Sequence, residues 1–291
     1  MPAWRARIAA FTIVVAVGAV AVAFAMVSMI DLVQRAARGH ETGKALGVPV
    51  DFQLNFQWPN ATFQADIYRF HNLLLAVDIG ICGLVAALLI YAMWRYRESR
   101  QPVATRTTHN TPLEVAWTVV PVIVLIIIAV PSFQLLYKYN VVPQAGTTLK
   151  VTGHQWYWEY QYPDNGKIDL QSSIVSDDKL KGDEKSMRLL DVDTYAVLPV
   201  DTVVRIQVTS GDVIHSFMVP SLGLQKYAMP GRLNEIWVKV TREGTYYGQC
   251  SQICGINHAF MPIGIKVVSK DQFAAWVKKQ QEQNVSSNAS Q

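Results

Sequence analysis

The sequence predicts an α-helical membrane hairpin, preceded by one more apolar segment and followed by an all-β sandwich or barrel. Three observations predict it. Runs long enough to cross a bilayer occur three times within the first 140 positions. Charged residues make up only 16% of the 291-residue chain and hydrophobic ones 51%, against roughly 25% charge in soluble domains. Beyond Thr147 the texture changes to short alternating runs divided by Gly, Pro, Asp and Ser.

The first apolar run, Ile8 to Ile30, carries no charge and follows Arg5 and Arg7. Its Ala/Val-rich character and Ala23-Phe24-Ala25 read either as a cleaved signal peptide or as a retained helix. The second run, Leu73 to Trp94, holds a single charge, Asp78, and the third, Val115 to Leu136, holds none. Pro121 and Pro131 inside the third are tolerated better in membrane helices than in soluble ones. The connector Arg95 to Asn110 carries Arg95, Arg97, Arg100 and Arg106 against Glu98, which places it on the cytoplasmic side. The mixed-charge loop Asp31 to Asp66 then falls outside, together with everything after Tyr137, in a periplasm or intermembrane space.

In the soluble part, Val204, Ile206 and Val208 alternate with Arg205, Gln207 and Thr209. Ile236, Val238 and Val240 repeat the pattern against Trp237, Lys239 and Thr241. Strands of this kind build a compact sandwich or barrel. Asp271 to Gln283 reads as a closing helix, with a disordered Ser/Asn-rich tail after it. The net charge of +4 is not gathered into a stripe, so nucleic acid has no footprint here.

The chemistry concentrates in Cys250-Ser-Gln-Ile-Cys254-Gly-Ile-Asn-His258-Ala-Phe-Met261. Two thiols, an imidazole and a thioether stand close together, and His215 lies in the apolar strand Val213-Ile-His-Ser-Phe217. Soft sulfur beside imidazole suits copper over magnesium or calcium, and zinc usually avoids Met. Taken singly, each residue has a plainer role: a small disulfide for the cysteines, core filling for Met261, a satisfied core histidine for His215. A mononuclear blue-copper site needs one Cys, so a second thiol points to two metal ions. A thioredoxin-type copper carrier would show a βαβ pattern, which is absent.

This segment resembles the CuA motif of cytochrome c oxidase subunit II, and the likeness runs from about Ile67 to Trp276. Supporting motifs are Pro112-Leu-Glu114-Val-Ala-Trp117-Thr, Gly153-His-Gln-Trp156-Tyr-Trp158, Asp212-Val-Ile-His215-Ser and Pro230-Gly-Arg232. The resemblance implies a two-helix hairpin and a cupredoxin-like Greek-key barrel. In domains, this means an apolar segment and linker over 1–66, the hairpin over 67–140, the CuA domain over 141–270, and a helix with tail over 271–291. It implies a dinuclear copper centre on the side chains of His215, Cys250, Cys254, His258 and Met261 and the backbone carbonyl of Gln252. Trp156 matches the aromatic through which cytochrome c delivers its electron, and Glu114 a carboxylate at the mouth of a proton pathway.

The activity implied is that of a cytochrome c oxidase, with electrons passed to subunit I for reduction of O2 to water coupled to proton pumping. No bond chemistry falls within this chain. The partners implied are subunits I and III, a soluble or membrane-bound cytochrome c, and membrane lipid. The location implied is a bacterial inner membrane with the copper domain in the periplasm, the mitochondrial inner membrane being the equivalent.

Three departures stand out. Gln252 occupies a position where the family has Glu, whose carboxylate reaches a magnesium ion at the boundary with subunit I. Gln keeps a carbonyl oxygen but loses the charge that Mg²⁺ prefers, so copper ligation survives and magnesium binding weakens. Gln161 stands where an acid is common, and Leu224-Gln-Lys-Tyr-Ala228 replaces a stretch with Lys and then Asp. Glu159, Asp164, Asp169 and Asp193 remain as candidate docking acids, and steering of a basic cytochrome should depend less on salt than usual. Quinol oxidase subunits of the same build lack the copper ligands, nitrous oxide reductases lack the hairpin, and no Cys-x-x-Cys-His for a fused haem c follows the domain.

Overall fold

The computed structural model describes residues 25, 28, 45–49, 53, 55–103, 106, 108–166, 168–180 and 187–289. The first apolar run therefore lies outside the described residues, apart from Ala25 and Ser28, which are helical. The chain divides into a helical unit, which includes Arg69–Gln134, and a β unit, which includes Leu135–Gln291 and the segment Ala37–Tyr68.

Among the described residues, two helices are of membrane-spanning length, α1 (Thr62–Arg95) and α2 (Thr111–Asn140). At 1.5 Å per residue each exceeds the roughly 30 Å of a hydrocarbon core. Their apolar side chains stay uncovered: Leu89, Ile90, Leu125 and Ile126 are all exposed, and α2 buries none of its residues. A soluble protein does not present apolar surface on this scale. Asn110 starts α2, its side chain accepting from the Leu113 N–H at 3.5 Å. The helix continues past Pro121 and Pro131.

Among the described residues of the β unit, eleven strands form two packed sheets. One has the order β5 (Ala196–Pro199), β11 (Pro262–Val268), β10 (Gly244–Cys250), β7 (His215–Val219), β8 (Leu224–Ala228), with β1 (Ala45–Gly47) alongside β10. The other runs β4 (Ile168–Ser172), β3 (Tyr157–Tyr162), β2 (Thr147–His154), β6 (Val203–Ser210), β9 (Asn234–Lys239). Both sheets are mixed, since β2 pairs parallel with β6 and β5 parallel with β11. Strict alternation in β6 turns Val204, Ile206 and Val208 inward, as their period of two requires. They meet Trp158, Tyr160, Phe217, Ile236 and Ile263 in one continuous core.

Two elements differ from their expected extents. α1 begins at Thr62, ahead of Ile67, because Phe63 and Tyr68 are buried within the β unit. Phe63 stacks near Tyr139 at 4.7 Å and Trp237 at 6.2 Å. This also explains why Trp237 is buried on the nominally outward side of β9: its indole N–H donates to the Lys138 carbonyl at 3.0 Å. The closing helix α3 runs from Lys270 to Ala289, so residues 284–289 are helical where a disordered tail was expected. Ser269 and Gln272 form a reciprocal cap at its start, and no Gly or Pro interrupts it.

Candidate metal centre

β7 opens on His215, whose side chain is fully buried. The ring meets Trp158 edge-on at 5.9 Å, and Gly153 lies against it: a Cβ there would come within 2.9 Å of its Cδ2. Nε2 faces Asp212 Oδ1 at 2.8 Å. That bond selects the Nε2–H tautomer and leaves Nδ1 free to coordinate. Nδ1 is 3.9 Å from Cys250 Sγ.

Cys250 ends β10, where its register partner is Phe217 of β7. The chain then leaves the sheet in an irregular loop, turning through Gly255 at φ +125°, a backbone conformation that L side chains seldom adopt. The loop returns Cys254 Sγ to 3.9 Å from Cys250 Sγ, and the thiols are not bonded to each other. His258 Nδ1 and Met261 Sδ each lie 3.5 Å from Cys254 Sγ. The Gln252 carbonyl lies 3.2 Å from Cys250 Sγ. The donor atoms of His215, Cys250 and Cys254 all fall within 4.8 Å of one another. The structure thus brings together every residue expected to ligate copper.

Hydrogen bonds from the β2–β3 hairpin hold this loop in place. The Gln155 side-chain N–H donates to the Cys254 carbonyl at 2.7 Å, and the Trp158 indole N–H to the Met261 carbonyl at 3.2 Å. Ser251 N–H donates to the Ser216 carbonyl at 3.1 Å. Asp212, Gln155, Trp158 and Gly153 are therefore supporting residues to which sequence reasoning gave no role. They stood inside the quoted motifs, but their partners are distant in sequence.

The electrostatics separate the two thiols. Burial raises Cys250, but its contacts with the His215 ring and with the Ser216 backbone outweigh this and bring the thiol down to about 7. Burial, and then the charge on Cys250, push Cys254 up to about 12. Burial opposes protonation of His215, yet Cys250 and Asp212 raise it overall. Two unbonded thiols, two imidazoles and a thioether in a buried niche form a soft donor set with nitrogen beside it, which fits copper.

Trp156 is half-buried on the hairpin turn and packs on Gly255, where a Cβ would come within 3.0 Å of its Cζ2. Glu159 Oε2 meets His154 Nε2 at 3.2 Å, and Asp169 Oδ2 accepts from Gln161 at 3.0 Å. Asp164 is exposed in a short turn, and Asp193 accepts from the Ser173 N–H at 2.9 Å. Glu114 belongs to the first turn of α2, half-buried, where it accepts from the Asn110 N–H at 2.9 Å. There it complements the helix N-terminus.

A pair of helices of membrane-spanning length followed by a cupredoxin-like barrel, with a sulfur–imidazole niche at one end of β7 and β10, defines a membrane-anchored cupredoxin-type protein with a candidate copper site. The family profiles agree on both parts. Residues 147–268 match the cytochrome c oxidase subunit II periplasmic domain and residues 49–135 its transmembrane domain. A probable cytochrome c oxidase subunit 2 of Rickettsia bellii is 48% identical over 229 residues, covering 79% of this chain and 84% of that protein. The cytochrome c oxidase subunit 2 of Cereibacter sphaeroides is 38% identical over 260 residues, covering 84% and 86%. The solved periplasmic domain of subunit II of cytochrome oxidase from Bradyrhizobium japonicum is 49% identical, covering 49% of this chain and 99% of its own, with a TM-score of 0.45. The chain belongs to the cytochrome c oxidase subunit II family.

Proposed function

We propose that this chain is the electron-accepting subunit of a haem-copper oxidase, taking electrons from a cytochrome c and passing them to the catalytic subunit I. Copper bound as a dinuclear centre supplies a one-electron redox site. His215, Cys250, Cys254, His258 and Met261 hold it through side chains and Gln252 through its carbonyl. The observation that carries this reading is the pair of unbonded thiols at 3.9 Å, flanked by imidazole on each side.

The protein's own contribution is rigidity. Asp212 orients His215, while Gln155 and Trp158 clamp the loop from the neighbouring sheet. Ligands held in advance move little when charge changes, which favours fast electron transfer. Trp156 offers an aromatic contact between the surface and the Cys254–Gly255 backbone. O2 reduction and proton pumping belong to subunit I, with Glu114 beside the mouth of its proton pathway and subunit III completing the complex. The arginine-rich connector sets the helices so that the β unit lies in the periplasm of a bacterial inner membrane. Within α1 and α2 the membrane hairpin takes up residues 67–140, and the copper domain follows over 141–270.

The test is metal analysis and a visible and near-infrared spectrum of the purified oxidase. The expected result is two copper ions per subunit II and the purple absorption of a mixed-valence pair. One copper ion, or zinc in its place, contradicts the proposal.

A further inference from the structure

Asp78 is the only charged residue between Leu73 and Trp94 of α1. It stands five residues inside that apolar run, about 7.5 Å along the helix axis. Its side chain is exposed, and among the described residues it has neither a hydrogen bond nor an ion pair. The residues one turn away on either side, Leu74, Leu75, Ile81 and Cys82, supply no counter-charge. An ionised carboxylate facing hydrocarbon is costly, so acids in membrane helices almost always meet a partner or line a polar cavity.

The direction in which Asp78 points follows from the helix itself. Ala76 and Gly80 are buried, and each is two residues from Asp78, about 200° around the helix. Asp78 therefore faces away from the covered side of α1. It belongs to a seam spaced alternately by three and four residues: Leu75, Asp78, Cys82, Val85, Leu89 and Ala92. From Asp78 onward every member of the seam is exposed. This spacing is the repeat by which one helix packs along another at a shallow angle. Small residues such as Cys82 and Ala92 let a second backbone come close.

We propose that this seam of α1 docks a transmembrane helix of another subunit, and that the docking helix carries an arginine or lysine opposite Asp78. The inference rests on the membrane-spanning oxidase subunit read above and adds an interaction surface with the charge of its partner. A lipid tail cannot neutralise the carboxylate, and a parallel second copy of α1 would set two carboxylates against each other. Charge complementarity therefore selects a cationic helix. The cation lies in the half of the membrane away from the arginine-rich connector, at the depth of Asp78. One ionic contact in an otherwise apolar seam fixes the rotation and depth at which the two helices meet, as a single polar position does in a coiled coil.

The experiment compares the assembled oxidase carrying Asp78→Leu or Asp78→Asn with the unmodified complex. Retention of this chain on tagged subunit I is measured across a detergent series, with the copper absorption recorded as a check on the β unit. A lipid-facing position would accept leucine without loss, because leucine is the better residue in hydrocarbon. The expected result is instead a dissociated fraction about tenfold larger for Asp78→Leu, with the copper absorption retained. Asp78→Asn, which keeps size and polarity but not charge, is expected to lose retention to a similar degree. A benzophenone side chain in place of Val85, irradiated in native membranes, is expected to attach to another subunit at a segment containing arginine or lysine. Normal retention of either variant overturns the inference, and so does attachment to lipid alone; both leave the oxidase-subunit reading standing. If the unmodified chain retains no subunit I, that reading fails, and the inference with it.

Discussion

Asp212 Oδ1 lies 2.8 Å from Nε2 of His215, three residues further along the chain. The same carboxylate accepts the Gln155 N–H through its other oxygen at 2.7 Å. One acid therefore sets the tautomer of a ligand on one sheet and anchors the hairpin turn of the other. Hydrogen bonds to His215, Gln155 and Val213 outweigh the effect of burial and hold its carboxyl below the usual range.

Asp212→Asn keeps the shape but removes the charge that favours Nε2–H. Copper affinity is expected to fall about 10- to 100-fold, the range for loss of a partner behind a metal-bound histidine. Competition with a chelator of known affinity measures it. Unchanged affinity would show that the tautomer is set by something other than Asp212.

The two thiols of the metal-free protein should titrate far apart. Cys250, held at about 7, should alkylate with a half-maximal rate near neutral pH, while Cys254 at about 12 stays largely unreactive there. The linkage signs are opposite. Lowering Cys250 stabilises the fold above the ordinary thiol value and is lost as pH falls through about 7. Raising Cys254 stabilises the fold below the ordinary value and is lost as pH rises towards 12. Mass spectrometry of alkylated peptides across pH distinguishes the sites, and equal rates would refute the assignment.

At Gln252 the carbonyl faces the copper niche, whereas the side chain is a neutral amide. Gln252→Glu is expected to strengthen divalent-ion binding at the boundary with subunit I and to leave copper content unchanged. Manganese substituted for magnesium reports the first by paramagnetic resonance. Tight manganese binding with Gln252 in place would falsify the expectation.

Much of the site was legible before folding because its ligands cluster in the chain. Four of the side-chain ligands lie between Cys250 and Met261, and donor softness alone pointed to copper. The strand pattern of Val204, Ile206 and Val208 was equally legible, since a period of two leaves one face to bury. Trp237 was not: its strand places it outward, and only the ends of α1 and α2 cover it. Nor was the helical character of residues 284–289, whose Ser and Asn are weak but not prohibitive in a helix.

By itself the sequence determined two spanning helices, a β domain and the donor set of a candidate copper site, because hydropathy, alternation and ligand type are local properties. Only the tertiary structure decided what supports that niche. The Asp212–His215 bond is short in sequence, but Gln155 reaches Cys254 and Trp158 reaches Met261 across about a hundred residues. Only the structure, too, engaged Glu159 and Asp169 through Gln161, because those three share a face through strand register. Register between strands depends on the packing of the whole sheet and leaves no signature in the local run of residues.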